Sequence, residues 1–245
     1  MLDLTRAPRD VLLGVIAQLA LQPLLPDYWW SAKAKRYYRR HPRVLFVKRT
    51  KIVSLLGDRV EDLQEKLTGL ADDVLAGTVS PAVGIRQMGE DLKQLHLSNR
   101  AMGAGGWDRL GARDYGKVGG RMKAERRRLR TFMEELAAGD LSPAQARARV
   151  NMYIGGARIQ FFEAEAAANA LPAKVSRVVI SKRFLGKADH CVDCLSFHKS
   201  GWQLVGVLPV PGIDSVCGNG CRCTIQYHEV TAKQVDNWIG TRRRA

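Results

Sequence analysis

Five cysteines lie close together near one end of this 245-residue chain: Cys191, Cys194, Cys217, Cys221 and Cys223. No other feature limits the fold so tightly. The surrounding segment is short and crowded with glycine and proline, so it cannot build a large apolar core by itself. Something else must hold it. Cys191-x-x-Cys194 is a chelating pair, because two intervening residues let both sulfurs face one tetrahedral ion. In Cys217-Gly-Asn-Gly-Cys221-Arg-Cys223, the Gly-Asn-Gly turn can carry Cys217 back towards Cys221. His190, His198 and His228 are nearby alternative ligands. A closed set of four protein ligands around Zn²⁺ would be structural rather than catalytic. The leading set is Cys191, Cys194, Cys221 and Cys223, or the same with Cys217 replacing one of the last two. Disulfides and free buried thiols stay open as alternatives. Nothing marks one cysteine as a nucleophile, so no enzyme is expected.

The rest of the chain reads as mainly α-helical. Val53, Leu56, Val60, Leu63, Leu67, Leu70 and Val74 recur in steps of three and four, a heptad seam on a helix over 52–76. Ser80-Pro81 starts another helix, to about Ala101, with Ser as cap and Pro at the first position. Seven glycines between residues 102 and 120 predict a loop as far as Asp114, which could cap the next helix. That helix presents Val118, Met122, Leu129, Phe132 and Leu136 on one face and stops at Gly139. Ser142-Pro143-Ala144-Gln145 opens the next, with Gln145 placed to complete a capping box. The two A-G-x-x-S-P stretches, at 76–81 and 138–143, both look like hairpin turns. After Pro172 come β-branched runs: Val175 to Ile180, Trp202 to Val210 and Cys223 to Tyr227 are candidate strands. The fold expected is helical hairpins or a bundle over 52–172, then a small β-containing, zinc-ribbon-like module over 173–229. Residues 1–51 make an apolar helix (Arg9 to Gln22) and a basic, aromatic arm; 230–245 make a short helix and a basic tail.

Charge comes in as a question of partners. The chain carries a formal +15, from 39 Lys+Arg against 24 Asp+Glu, which calls for a polyanion. It is concentrated. Between Ser31 and Lys51 there are nine basic residues and no acid. Lys33, Lys35, Arg36, Arg39, Arg40, Arg43, Lys48 and Arg49 are the candidate nucleic-acid contacts, with Tyr28, Trp29, Trp30, Tyr37 and Tyr38 interleaved. Arg126-Arg127-Arg128 spreads around a helix and reads as a solvated face; Arg242 to Arg244 form a basic tail. No apolar run reaches the ~18 residues of a membrane span. Arg6 and Arg9 precede an apolar run, but no A-x-A-like site follows, so a non-secreted protein is expected.

The order of these elements resembles a known family. A helical region is followed by D-x-C-x-x-C (Asp189, Cys191, Cys194), then a glycine-rich stretch with prolines (Gly201, Gly206, Pro209, Pro211). An N-x-C-R-C-T element (Asn219, Cys221, Arg222, Cys223, Thr224) completes it. This is similar to the C-terminal signature of the minor head, or head-morphogenesis, proteins of tailed bacteriophages, the Mu F-like group. The match covers roughly residues 175 to 228. The family's His-Pro is absent. Gly218 stands where that His would fall, and Cys217, one place earlier, could substitute. The resemblance implies a non-enzymatic structural protein at the portal or capsid interior, in the virion and in the host cytoplasm during assembly. Its partners would be the portal or major capsid protein, and packaged DNA through nonspecific basic contacts. The heptad seam leaves homo-oligomerisation open. A zinc-ribbon nucleic-acid-binding regulator is the alternative.

Overall fold

A computed structural model describes residues 25–31, 34, 36–40, 42–170, 177–231 and 233–235. The apolar helix expected at Arg9 to Gln22, Lys33, Lys35, the interval 171–176, most of the last helix and the Arg242–Arg244 tail lie outside the described residues. Among the described residues, no helix is long and apolar enough to cross a membrane.

Most of the described chain is helical. Four long helices form the body: α1 (Arg49–Leu75), α2 (Pro81–Ala104), α3 (Ala112–Ala138) and α4 (Pro143–Ala170). Their seams pack inward. Leu67, Leu70 and Val74 of the α1 heptad are buried in the bundle core, Val60 and Leu63 lean on it, and Leu56 is buried in a second cluster. The seam is therefore satisfied within the chain. The α3 face is buried as its spacing requires, with Phe132, Leu129 and Leu136 wholly inside.

The ends of the helices follow local chemistry. Ser80 Oγ accepts from the Val83 N–H at 3.5 Å. Ser142 and Gln145 close a reciprocal capping box: Gln145 Oε1 accepts from Ser142 N–H at 2.9 Å, and Ser142 Oγ from Gln145 N–H at 3.4 Å. The two A-G-x-x-S-P turns share one device, since Gly77 and Gly139 both take left-handed φ, 74° and 77°. The expected loop up to Asp114 is shorter than the glycines suggested. α2 continues to Ala104, a 3₁₀ turn covers Trp107–Arg109, and α3 begins at Ala112. Asp114 sits inside that first turn rather than ahead of it, accepting from Gly111 N–H at 3.0 Å.

Two small antiparallel sheets flank the bundle. The arm is not a bare arm: β1 (Tyr28–Ser31), β2 (Arg36–Arg39) and β3 (Leu45–Val47) form a meander. Tyr37 pairs with Trp30 and Val47 on the face turned to the bundle, and its hydroxyl donates to the Met102 carbonyl at 2.7 Å. The second sheet has the order β5–β4–β6, with β4 at Arg177–Phe184, β5 at Gln203–Leu204 and β6 at Thr224–Thr231. The strand expected over Trp202 to Val210 is reduced to two residues. Gly206, Pro209 and Pro211 follow, and proline cannot donate to a ladder. A short helix, α5 (Val192–Lys199), opens inside the first cysteine pair.

Among the described residues, two apolar clusters lie outside the cysteine region. One cluster fills the bundle. The other joins Tyr37, Ile52 and Leu56 from the first part of the chain to Met102, Phe161 and Phe162 of the bundle and to Ile225 of β6.

Candidate metal centre

The second sheet and α5 bring all five cysteines to one place. Cys191 precedes α5 in extended conformation, and Cys194 lies in its first turn, wholly buried. Cys217 and Cys221 bracket a 3₁₀ turn over Gly218–Gly220, the Gly-Asn-Gly of the sequence. Cys223 follows, buried, just before β6. All five are free thiols. Two triads share Cys194: Cys191, Cys194 and Cys217 in one, Cys194, Cys221 and Cys223 in the other, with the sulfurs of each triad within 4.8 Å of one another. Cys194 Sγ stands 3.5 Å from Cys217 Sγ and 3.7 Å from Cys221 Sγ. Cys217 therefore belongs to the cluster as fully as the four of the leading set. This donor set could hold a metal ion.

The thiols differ in acidity for local reasons. Backbone N–H groups of Cys194, then of Cys217, favour the Cys191 thiolate and bring it down to about 7. Burial pushes the Cys194 and Cys217 thiols up. Buried thiolates need compensation, which a metal ion supplies by displacing the proton.

Of the three histidines, His190 is nearest the sulfurs. Its Nδ1 lies 3.7 Å from Cys223 Sγ, while Nε2 pairs with the Gly186 carbonyl at 2.8 Å. His198 pairs with the Arg183 carbonyl at 2.9 Å. His228 packs edge-on to Trp202 at 4.7 Å.

Two arginines surround the cluster, and sequence reading had singled out neither. Arg183 is completely buried. Its Nη1 lies 3.8 Å from Cys221 Sγ, its Nη2 donates to the Pro209 carbonyl, and its guanidinium rests 5.2 Å from the Phe197 ring centre. The partners are a sulfur, a carbonyl and a ring, while the guanidinium keeps its charge. Arg158, on α4, donates to the Cys221 carbonyl at 2.8 Å and to the Cys223 carbonyl at 3.2 Å. It ties the cysteine loop to the bundle. Asn219 adds a bond from its Nδ2 to the Met152 carbonyl at 2.9 Å.

That docking explains an oddity of α4. Gly155-Gly156 sits in mid-helix, where each glycine costs roughly 1 kcal/mol relative to alanine. A Cβ on Gly155 would lie 2.8 Å from the Asn219 carbonyl oxygen, and one on Gly156 would run into the Arg121 guanidinium. Gly155 is the footprint of the cysteine loop on the bundle, and Gly156 makes room for Arg121 of α3.

The basic residues of the N-terminal sheet scatter. Arg36 and Arg40 lie on its outer face, Arg36 over the Phe46 ring and Arg40 over the Trp29 ring. Arg43 and Lys48 are exposed, and Arg39 is half-buried beside Tyr28 and Leu45. Arg49 is engaged elsewhere. It grips buried Glu165 through two bonds of 2.5 Å and donates to the Ile225 carbonyl at 3.0 Å. Its guanidinium is thus held by the protein's own carboxylate. Arg126, Arg127 and Arg128 are all exposed, as their spread around the helix requires.

In comparisons with known proteins, no family model matches the chain, and no curated protein or solved structure is significantly similar to it.

Proposed function

We propose that the C-terminal module is a zinc-ribbon-like element folded on one structural Zn²⁺, in a non-enzymatic protein of tailed-phage heads. The observation that carries the metal is the convergence of five thiols beside a fully buried, permanently charged Arg183. Breaking the compensation of a buried charge costs several kcal/mol. Four thiolates on Zn²⁺ bear a net negative charge, which would balance Arg183 and the partly buried Arg158. The spacing supports the same reading. Zn–S bonds of about 2.3 Å give a tetrahedral edge of roughly 3.8 Å, close to the sulfur separations of 3.5 and 3.7 Å. The ion would supply cross-linking and charge balance and leave no open position for chemistry.

The setting is supported by the order of C-x-x-C and N-x-C-R-C after a helical body. In that setting the protein contacts the portal or the major capsid protein and faces packaged DNA with its basic surfaces. It aids head assembly and the packaging or ejection of DNA. Elemental analysis of the purified chain should find about one Zn²⁺ per chain. Immunodetection should find the chain in proheads and virions. Absence from both overturns the setting, and metal-free protein with an intact module overturns the zinc. Tight binding of duplex DNA by the free monomer, with a steep salt dependence, would point instead to a zinc-ribbon regulator.

A further inference from the structure

The outer face of the N-terminal sheet carries a pattern that the metal module does not explain. Trp29 on β1, Tyr38 on β2 and Phe46 on β3 are direct cross-strand neighbours, so their rings form one row across all three strands. Trp29 and Tyr38 stack, with ring centres 5.4 Å apart and planes inclined at 25°. Phe46 is 49% exposed, though a side chain of that kind is ordinarily turned inward. The inward face of the same sheet already has its aromatics: Trp30 and Tyr37 pack edge to face at 5.0 Å on the second core. The outer row is thus not needed to seat the sheet.

Charge accompanies the row at both ends. The Arg36 guanidinium lies 4.9 Å from the centre of the Phe46 ring, and that of Arg40 5.4 Å from the centre of the Trp29 ring. Both arginines are exposed, as is Arg43 in the β2–β3 connection. No acidic residue occurs between Ser31 and Lys51 to oppose them. Asp27, whose carbonyl receives the Arg40 N–H, is an acid at the edge of this face, but cations dominate it, and flat π-faces in a row flanked by cations match one polyanion best. Its flat groups must be free to stack while its charges run alongside. Unpaired nucleic acid has both properties. A duplex keeps its bases stacked on each other and offers only phosphate, and an anionic lipid surface has no flat group for the rings.

We propose that this face binds single-stranded nucleic acid, with bases stacking on Trp29, Tyr38 and Phe46 and phosphates held by Arg36 and Arg40. The site stands apart from the zinc and phage readings: a chain that lacks zinc, or that no prohead contains, leaves it intact. The test titrates the full chain into labelled oligo(dT), into a duplex of equal length and into vesicles rich in phosphatidylglycerol. Oligo(dT) should bind at least tenfold tighter than the duplex. Phe46→Ala should weaken oligo(dT) binding about tenfold, as the loss of one base–aromatic stack does. Phe46→Leu, which stays apolar, should weaken it as much, while Phe46→Trp should retain it. Circular dichroism of each variant checks that the sheet is kept. Arg36→Gln with Arg40→Gln should flatten the salt dependence. Equal affinity for duplex, unchanged binding by folded Phe46→Ala, full binding by Phe46→Leu, or binding to vesicles without binding to oligo(dT) each overturns the proposal.

Discussion

Leu129, Phe132 and Met88 occupy the centre of the helical body, each wholly buried among other apolar side chains. In the module the same place belongs to Cys194, Cys221 and Cys223, packed with Cys191, Cys217 and Leu185. The body is cohesive because many methylenes leave water together. The module has few to bury, and it gathers sulfurs around a buried cation instead. One core is stabilised by area and needs no ligand. The other, on the zinc reading, depends on a ligand, and so on chelators, acid and oxidants.

The largest break between the two should come from removing metal. A chelator should unfold residues 177–231 while the body stays helical, since structural zinc supplies on the order of 10 kcal/mol. Hydrogen exchange resolved by segment would show it, and simultaneous loss of all protection would merge the two regions into one unit. The converse experiment is Phe132→Ala. It should cost the body about 3–5 kcal/mol in denaturant unfolding. The zinc content should stay unchanged.

A smaller effect probes the seam between them. Gly155→Ala places a methyl against the Asn219 carbonyl, so with the module docked it should destabilise by about 1–2 kcal/mol. In chelated protein the same change should stabilise the freed helix, by up to about 1 kcal/mol. A stabilising effect in both states would mean that the loop does not rest on α4. The smallest effect belongs to the body alone. Burial opposes ionisation of Asp114, but the Gly111 N–H and the Arg100 guanidinium more than offset it and hold its carboxyl below its ordinary value. A depressed folded pKa contributes stability that is complete above the unfolded value, near 4, and is lost as pH falls through the folded one. Asp114→Asn should cost about 1 kcal/mol at neutral pH, the scale of a lost cap. It should also flatten the acid limb of the stability curve.

Sequence reading succeeded where one local signal decides the outcome. The α1 seam, the Ser80 and Ser142 caps and the two A-G-x-x-S-P turns depend on neighbours a few residues away. The convergence of the cysteines was legible because chelation spacing is also local. It failed where the deciding partner is distant. Arg183 and Arg158 look like any surface arginine until β4 and α4 place them beside the cysteine loop. Arg49 belonged to a basic run, and only the folded chain brings Glu165 to it. Strands β1 to β3 were hidden because they are short and dense with charge. Their alternation shows only once Tyr37 has been set inward and Tyr38 outward. The buried polar contacts of the bundle, His96 with Glu125 at 3.0 Å and Arg100 with Gln160 at 3.1 Å, escape any pattern that counts apolar residues alone.

The second core has a bearing on synthesis. A ribosome delivers Tyr37 and Ile52 before most of the bundle, and Ile225 after it. The bundle can close as soon as α4 has left the exit tunnel, because its own core needs nothing further downstream. The N-terminal sheet cannot finish its footing at that moment, since the last side chain beneath it and the carbonyl that receives Arg49 both arrive on β6. The sheet made before the bundle thus settles after it, and a nascent chain stalled before residue 225 would hold a finished bundle with an unseated β1–β3 sheet.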